Sequence, residues 1–142
     1  MRFFLLLALV SCFFVYSAWA LGKLQSVAVN GTLMCKKKPY ANVKVKLYEV
    51  DFADPDDLLM EGRSLKNGTF YLEGFEEEIG QIAPKVNIYH NCEDEKRECL
   101  RLIEISVPAD HIFDGKKAKK VFDIGVLNLE AFYPGESRDC HN

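Results

Sequence analysis

Alternation of apolar and polar residues is the dominant pattern of this chain. Within residues 27–33 and 43–48, every second position is apolar or glycine. A period of two with one apolar face is typical of a half-buried β-strand. With turn signals at Pro and Gly between them, the pattern predicts an all-β fold, a seven-stranded antiparallel sandwich of two sheets. The seven predicted strands are 27–33, 43–48, 58–63, 69–73, 86–90, 100–107 and 121–129.

The first 20 residues have a different pattern. Arg2 precedes an apolar run that ends in Ala18-Trp19-Ala20. A short apolar run with a small residue at both ends of the final triplet is typical of a cleaved secretory signal peptide, and it is short for the ~20 residues of a membrane span. We therefore expect a signal peptide over 1–20 and a mature domain over 21–142. The protein is expected to be secreted and extracellular, and not transmembrane.

Four cysteines remain after the predicted cleavage. In a secreted chain an even number of cysteines favours disulfides. Loops alternate between the two ends of a seven-stranded sandwich, and this places all four cysteines at one end. The short segment between two of them favours a local bridge, so the predicted pairs are Cys92–Cys99 and Cys35–Cys140. Other pairings stay open at this point, because spacing alone does not determine connectivity.

Composition narrows the class of protein. The chain has 142 residues, of which 49% are hydrophobic, and this is enough for one globular domain but hardly for two. The 18 Lys and Arg residues against 21 Asp and Glu residues give a net charge of −3. A nucleic-acid partner recognised through net positive charge is therefore not expected.

Charged residues are concentrated in a few clusters. Three lysines, Lys36, Lys37 and Lys38, followed by Tyr40, occur near the first cysteine and predict a patch that binds anionic lipid or sulfated sugar. At the opposite end we expect acidic residues to neutralise a basic loop. Four aspartates there resemble calcium ligands but lack the glycine and glutamate of an EF-hand loop, so we interpret them as a solvated turn. The acidic residues of that end are Asp51, Asp54, Asp56, Asp57, Glu76, Glu77 and Glu78, and the basic loop contains Lys116, Lys117, Lys119 and Lys120.

Other candidate sites are few. Asn30-Gly31-Thr32 and Asn67-Gly68-Thr69 are sequons, which predict N-glycosylation at Asn30 and Asn67. The three histidines and the lack of a Gly-x-Ser-x-Gly turn indicate no catalytic site, and we expect no cofactor. Zinc is not expected either, because disulfides are the better use of cysteines in a secreted chain. The zinc candidates would be His90, Cys92, Cys99, Cys140 and His141.

Several motifs of the mature chain occur together: Gly31-Thr-Leu-Met-Cys35, Val43-Lys-Val-Lys-Leu-Tyr48, Asn67-Gly-Thr-Phe70, Ile88-Tyr-His-Asn-Cys92 and Gly135-Glu-Ser-Arg-Asp-Cys140. As a set they resemble the nematode transthyretin-like family of secreted proteins. The resemblance implies a transthyretin-like β-sandwich with four cysteines, and it implies no assigned activity.

Two relatives of that family have known activities. Transthyretin carries thyroid hormone in a channel of its tetramer. The hydroxyisourate hydrolases use histidines, an arginine and a Tyr-Arg-Gly-Ser ending, whereas this chain ends in Arg138-Asp-Cys-His-Asn142. The resemblance therefore does not extend to the hydrolase activity.

The sequence as a whole predicts a secreted, non-enzymatic binding or adaptor module. Its expected partner is an extracellular protein receptor or an anionic lipid surface. The alternative function is that of a carrier, which would hold a small apolar ligand between subunits or inside the sandwich.

Overall fold

The computed structural model describes residues 22–142, so the predicted signal peptide over 1–20 lies outside the described residues. The described chain forms ten β-strands and one turn of 3-10 helix over Ala109–His111. The strands are β1 Lys23–Cys35, β2 Lys38–Pro39, β3 Lys44–Glu49, β4 Asp57–Arg63, β5 Thr69–Glu78, β6 Pro84–His90, β7 Leu100–Ser106, β8 Phe113–Asp114, β9 Phe122–Asn128 and β10 Ser137–Asp139.

Two sheets form a sandwich, which confirms the predicted all-β fold. The first sheet is centred on β1, which pairs with β5, β9 and the short strands β2 and β8. The second sheet has the order β10-β7-β6-β3-β4 and is antiparallel throughout. All seven predicted strands are present, and β2, β8 and β10 are additional short ones.

One strand pair departs from the predicted antiparallel arrangement. β9 runs parallel to β1, with Val29 opposite Phe122 and Met34 opposite Asn128. The alternating pattern shows which face of a strand is buried, but it carries no information about the direction of its neighbour. The parallel pair brings the loop over 115–121 beside β1 in the first sheet.

The core lies between the two sheets, where their apolar faces meet. In β3 the buried positions alternate strictly with half-buried ones, and the buried Val45 and Leu47 face inward. Full burial of one such side chain stabilises the fold by roughly 1.5–3 kcal/mol, as an upper estimate. The core residues with no measurable exposure include Val27, Val29, Leu33, Val45, Leu47, Val86, Ile88 and Leu129.

Two disulfides lie at one end of the sandwich, as expected, but the predicted pairing is wrong. The bonds are Cys35–Cys92, with Cα atoms 5.9 Å apart, and Cys99–Cys140, with Cα atoms 4.2 Å apart. Cys35 ends β1 in the first sheet, and the buried Cys92 follows β6 in the second, so this bond links the two sheets. The edge pairing of β10 with β7 places Asp139 opposite Leu100 and so brings Cys140 to Cys99.

Arg101 fastens the segment that follows β9 to the second sheet. This arginine is only 3% exposed, and its guanidinium forms an ion pair through Nε with Glu136 Oε1. It also donates hydrogen bonds to the carbonyl oxygens of Leu129 (3.0 Å) and Ala131 (2.7 Å). Burial raises the pKa of Glu136, but the hydrogen bonds from Arg101 and the Tyr133 N–H, together with the charge of Arg101, leave that pKa below its usual range. A buried charge is therefore fully paired here, as it must be to be tolerated.

Within residues 22–142, none of the helical structure is long and apolar enough to cross a membrane.

Candidate functional site

Three lysines predicted as a binding patch form the tip of a hairpin at the disulfide end. Cys35 pairs with Lys38 across a two-residue turn, in which Lys36 and Lys37 have φ values of 52° and 64°. Positive φ at both turn residues is the geometry that matches the twist of a tight hairpin. We call Lys36, Lys37 and Lys38 the lysine hairpin. All three residues are exposed.

The charge of the lysine hairpin is partly compensated: Glu130 Oε2 accepts a hydrogen bond of 3.1 Å from the Lys36 N–H. Lys36 Nζ lies 3.9 Å from Glu93 Oε1, and ion pairs of such exposed groups contribute little. In the part of the chain that the structure describes, Lys37 and Lys38 have no carboxylate oxygen within 4 Å. The hairpin therefore presents positive charge to the solvent.

Tyr40 lies beside the hairpin, in the wall of a cavity. Its hydroxyl donates a hydrogen bond of 2.7 Å to Asn91 Oδ1, and its ring packs against the core. Burial raises the pKa of Tyr40, and the charge of Glu95 acts in the same direction. Tyr40 is thus a half-buried structural neighbour of the lysine hairpin and does not project from the surface with it.

The cavity next to Tyr40 has a volume of about 310 Å³ and a basic lining, and we call it the basic cavity. Lys44 and Arg63 stand opposite each other in the β3–β4 pairing and both line it. Neither has a carboxylate oxygen within 4 Å among residues 22–142. The complete lining consists of Tyr40, Ala41, Asn42, Val43, Lys44, Arg63, Tyr89, His90, Asn91, Leu100 and Asn142, none of which is acidic.

Both cations of the cavity are held by neutral groups. Arg63 donates a hydrogen bond of 2.9 Å from Nη1 to the carbonyl oxygen of Asn42. Lys44 Nζ lies 3.5 Å from Asn142 Oδ1. These hydrogen-bond partners are neutral, so the charges of Lys44 and Arg63 are available to an anionic group.

His90 is a buried neutral member of the cavity wall. It is 2% exposed, and its Nδ1 accepts a hydrogen bond of 3.1 Å from the Cys92 N–H, so the ring proton is on Nε2. Burial, together with the charge of Arg101, lowers the pKa of His90 to about 4. Nε2 is buried and has no hydrogen-bond partner. The wall therefore contains an unused N–H donor.

The two sequons differ in accessibility. Asn67 is exposed in the turn before β5, and its Oδ1 accepts hydrogen bonds from the Thr69 N–H (3.1 Å) and hydroxyl (2.7 Å). Asn30 is half-buried in β1, opposite Tyr71, and its Oδ1 is buried without a hydrogen-bond partner. Asn67 is accordingly the better placed acceptor.

The predicted neutralisation at the opposite end is wrong. Asp56 pairs with Lys85 at 2.9 Å, and Lys116 Nζ lies 5.6 Å from the centre of the Phe75 ring. Within the described range 22–142, no carboxylate oxygen lies within 4 Å of the amines of the loop over 115–121. The reason is topological. β8 and β9 hold that loop beside β1 in the first sheet, whereas residues 51–57 connect two strands of the second, and Glu76, Glu77 and Glu78 lie on β5 at the other side of β1.

Sequence reasoning did not find Lys44, Arg63 or His90 as members of one site. Lys44 follows the polar alternation of its strand, and His90 was considered only as a zinc ligand. The four cysteines among residues 22–142 all form disulfides, which leaves no thiolate there for zinc. The only signal in the sequence was that Lys44 and Arg63 lie near the open end of a predicted hairpin, and the sequence does not specify the register of its two strands.

Fold and site together define a disulfide-bonded β-sandwich with a basic cavity at one end. The sequence model of the transthyretin-like family matches residues 30–108. Transthyretin-like protein 5 of Caenorhabditis elegans is 42% identical over 142 residues, which cover 99% of each chain. Transthyretin-like protein 33 of the same organism is 44% identical over 117 residues, covering 82% of each chain. The chain belongs to the transthyretin-like family, which confirms the resemblance of its motifs.

A solved structure, a 9R-lipoxygenase from Cyanothece PCC8801, is similar over 82% of this chain and 18% of its own, with 17% identity and a TM-score of 0.41. A similarity of that size supports no inference about function.

Proposed function

We propose that this protein is a secreted, non-enzymatic extracellular binding module, and that its disulfide end binds the anionic groups of a lipid surface. The observation that carries the proposal is the basic cavity of about 310 Å³, which adjoins the exposed lysine hairpin. The two disulfides at that end support secretion, because such bonds persist in oxidising compartments.

The cavity and the hairpin would contribute in different ways. Lys44 and Arg63 can donate several hydrogen bonds to one phosphate or carboxylate group, and the planar guanidinium favours two parallel bonds. The lysine hairpin is more exposed, and each lysine near an anionic membrane contributes roughly 1 kcal/mol. The cavity would therefore select a head group, and the hairpin would hold the protein at the surface.

The surroundings of His90 support a non-enzymatic role. A general base must be able to take a proton from a nearby nucleophile. The Nδ1 of His90 is occupied by the Cys92 N–H, and the low pKa of this ring leaves it a poor base.

The carrier function has one observation in its favour. An open groove of about 430 Å³ lies between β4 and β5, lined by Leu59, Met60 and Phe75 together with Glu73, Gly74 and Lys116. Met60 and Phe75 are 44% and 48% exposed, so apolar surface is available to a ligand. Native mass spectrometry of the secreted protein followed by organic extraction tests this function. A defined apolar molecule released in stoichiometric amount would favour the carrier over the binding module.

Liposome co-sedimentation tests lipid binding directly. The secreted protein is mixed with vesicles of phosphatidylcholine alone or with an added anionic lipid, at low and at physiological salt. We expect binding only to the anionic vesicles and weaker binding at the higher salt, because screening acts over ~8–10 Å. Replacing the lysine hairpin by serines should weaken binding by about a hundredfold, which corresponds to roughly 3 kcal/mol for three lysines.

Two further variants separate the cavity from general charge effects. Lys44→Gln with Arg63→Gln should reduce binding without touching the hairpin. The control carries serine in place of the four lysines over 116–120, which removes more charge from a loop away from the disulfide end. An equal loss in this control would contradict the proposal, because binding would then follow net charge. Binding to cells but not to vesicles, abolished by the same variants, would show that the partner is a protein receptor.

We also propose that Asn67 carries an N-linked glycan. Its exposed turn supports this, and half-buried Asn30 is the poorer of the two acceptors. The intact mass before and after enzymatic deglycosylation, compared with that of Asn67→Gln and Asn30→Gln variants, measures how each sequon is used.

A further inference from the structure

The basic loop over 115–121 joins β8 to β9, and its lysines are free of ion-pair partners. Residues 116–120 read Lys-Lys-Ala-Lys-Lys, so four lysines lie within five positions. All four are exposed, whereas Ala118 between the two pairs is half-buried. No carboxylate oxygen of residues 22–142 lies within 4 Å of their amines. The loop therefore presents a short run of positive charge on the surface.

Contacts with two strands hold the backbone of the basic loop across the first sheet. The Gly115 N–H donates a hydrogen bond of 2.9 Å to the carbonyl oxygen of Leu24 in β1. The Ala118 N–H donates one of 3.4 Å to Glu73 Oε1 in β5. A backbone that is already ordered loses less conformational freedom when a ligand binds.

The sheet under the basic loop shows that the loop is packed and not merely tethered. Ser26 and Ala28 lie opposite Phe75 and Glu73 in the β1–β5 pairing, so all four side chains share one face of the first sheet. Phe75 and Glu73 contact the loop, which identifies this face as the outer one. Ser26 and Ala28 are nevertheless only 0% and 1% exposed, because the loop covers them. The loop is thus a fixed part of the fold, with its lysines on the solvent side.

The carboxylates nearest to the basic loop are engaged by other groups. Glu73 accepts the Ala118 N–H through one oxygen and the Tyr71 hydroxyl, at 2.8 Å, through the other. Asp114 pairs with Lys23 Nζ at 3.1 Å. These acids border the lysines without pairing with them, so the surface consists of a narrow basic strip with an acidic border.

From this arrangement we propose that the basic loop binds a linear sulfated polysaccharide. Lysine-rich runs of this length are typical of surfaces that bind polyanions. A single polysaccharide chain is narrow and can follow the lysines alone. A flat anionic bilayer would also face Glu73, Asp110 and Asp114, and bringing like charges together weakens binding. The acidic border therefore favours the linear polyanion over a membrane.

This site is separate from the disulfide end. The basic loop begins beside Leu24 and ends where Phe122 pairs with Val29, whereas the lysine hairpin follows Cys35. At ~3.3 Å per residue, the loop and the hairpin lie roughly 20–36 Å apart along β1. This distance exceeds the ~8 Å over which charges act at physiological salt, so the two basic surfaces bind independently. The inference does not depend on the proposed lipid binding.

Binding of the secreted protein to heparin tests the inference, with chemically desulfated heparin as the comparison. Affinity is measured by titration at physiological and at higher salt. We expect saturable binding to heparin that weakens with salt, and binding to the desulfated chain that is at least about tenfold weaker. No binding of heparin, or equal binding of both polysaccharides, would overturn the inference.

Two variants that each remove three charges locate the site. The first carries Lys117→Ser, Lys119→Ser and Lys120→Ser and keeps Lys116, whose amine lies over the Phe75 ring. The second carries serine at the three positions of the lysine hairpin. The loop variant should bind heparin about tenfold more weakly than the parent, and the hairpin variant should stay within about threefold. Equal losses would overturn the inference, because binding would then follow net charge.

Two further measurements exclude other causes of a loss. The loop variant should keep the Tm of the parent, because its three substituted side chains are exposed, and arginine at the same three positions should restore heparin binding. It should also bind anionic vesicles like the parent. A loop variant that loses vesicle binding but keeps heparin binding would overturn the inference and assign the loop to lipid. If the parent binds heparin but no vesicles, the lipid proposal fails and this one stands.

Discussion

The two ends of the sandwich differ in whether their buried charged groups have partners of opposite charge. At the disulfide end, the buried Arg101 has a carboxylate and several carbonyl partners, and two covalent bonds close the structure. At the other end, the buried Glu49 has one free oxygen and three carboxylates as neighbours. Burial of a charge is tolerated where partners neutralise it and is costly where like charges surround it. The buried charge at the disulfide end is therefore neutralised within this chain, whereas Glu49 has no lysine or arginine nitrogen within 4 Å among residues 22–142.

The same comparison separates structural charges from charges that are free to bind. Arg101 follows Leu100 and lies opposite His90, both of which line the basic cavity, yet its guanidinium is used entirely within the fold. Lys44 and Arg63 lie in the cavity with neutral partners only. Residue type does not distinguish these roles, and only the partners of each group do.

The largest effect should come from breaking the bond between the sheets. Replacing Cys35 and Cys92 by serine removes a link between residues 57 positions apart, and we expect the free energy of unfolding to fall by about 4 kcal/mol. Urea unfolding measures the loss. The control pair, Cys99→Ser with Cys140→Ser, joins strands of one sheet and should cost less, because Cys140 is only half-buried. A larger loss for the control would contradict the assigned roles.

Removing the partner of Arg101 should have the next largest effect. Glu136→Gln leaves the buried guanidinium without a counter-charge, and we expect a loss of roughly 3 kcal/mol in the free energy of unfolding. Glu98→Gln, at an exposed position, is the control and should stay within about 0.5 kcal/mol of the parent. Chemical denaturation at neutral pH distinguishes the two. Equal stability of both variants would mean that the peptide carbonyls alone satisfy Arg101.

His90 should make the disulfide end sensitive to acid. Its pKa is about 4 in the folded protein and about 6.5 when unfolded, so the unfolded chain binds a proton first as the pH falls. The stability due to neutral His90 is present above pH 6.5 and should decrease by about 2 kcal/mol between pH 7 and pH 4.5. His90→Gln should show a smaller decrease over this window, and His141→Gln, in the exposed tail, should follow the parent. Parallel curves for all three proteins would refute the prediction.

The smallest effect should come from removing the charge of the buried Glu49. Because burial and three neighbouring charges raise the pKa of Glu49, its ionised form destabilises the fold at neutral pH. Glu49→Gln keeps the acceptor for the Ala83 N–H, and we expect it to stabilise the protein by up to ~1 kcal/mol. The Tm in chelator-treated buffer measures this gain. A loss of stability instead would show that the carboxylate is already neutralised within the chain.

Much of the fold could be predicted because the alternation of apolar and polar residues along a β-strand shows which of its faces is buried. Residues 43–48 alternate between the core and the outer face, so the strand and its buried side can be predicted without knowledge of the neighbouring strands. The family resemblance was equally local, since it rested on short motifs around Cys35 and Cys92. The position of all four cysteines at one end followed from the alternation of loops alone.

What the sequence alone determined is thus the strands, their buried faces, the family and the end at which the cysteines meet. Only the tertiary structure decided which residues contact one another. Cys35 meets Cys92 because β1 and β6 end at the same place in opposite sheets, and Lys44 meets Arg63 because of a register that alternation does not specify. The free oxygen of Glu49 depends likewise on strands from two sheets. A local pattern of apolar and polar residues shows which positions are buried. The residues that contact one another belong to elements distant in sequence, and neither charge nor spacing along the chain identifies them.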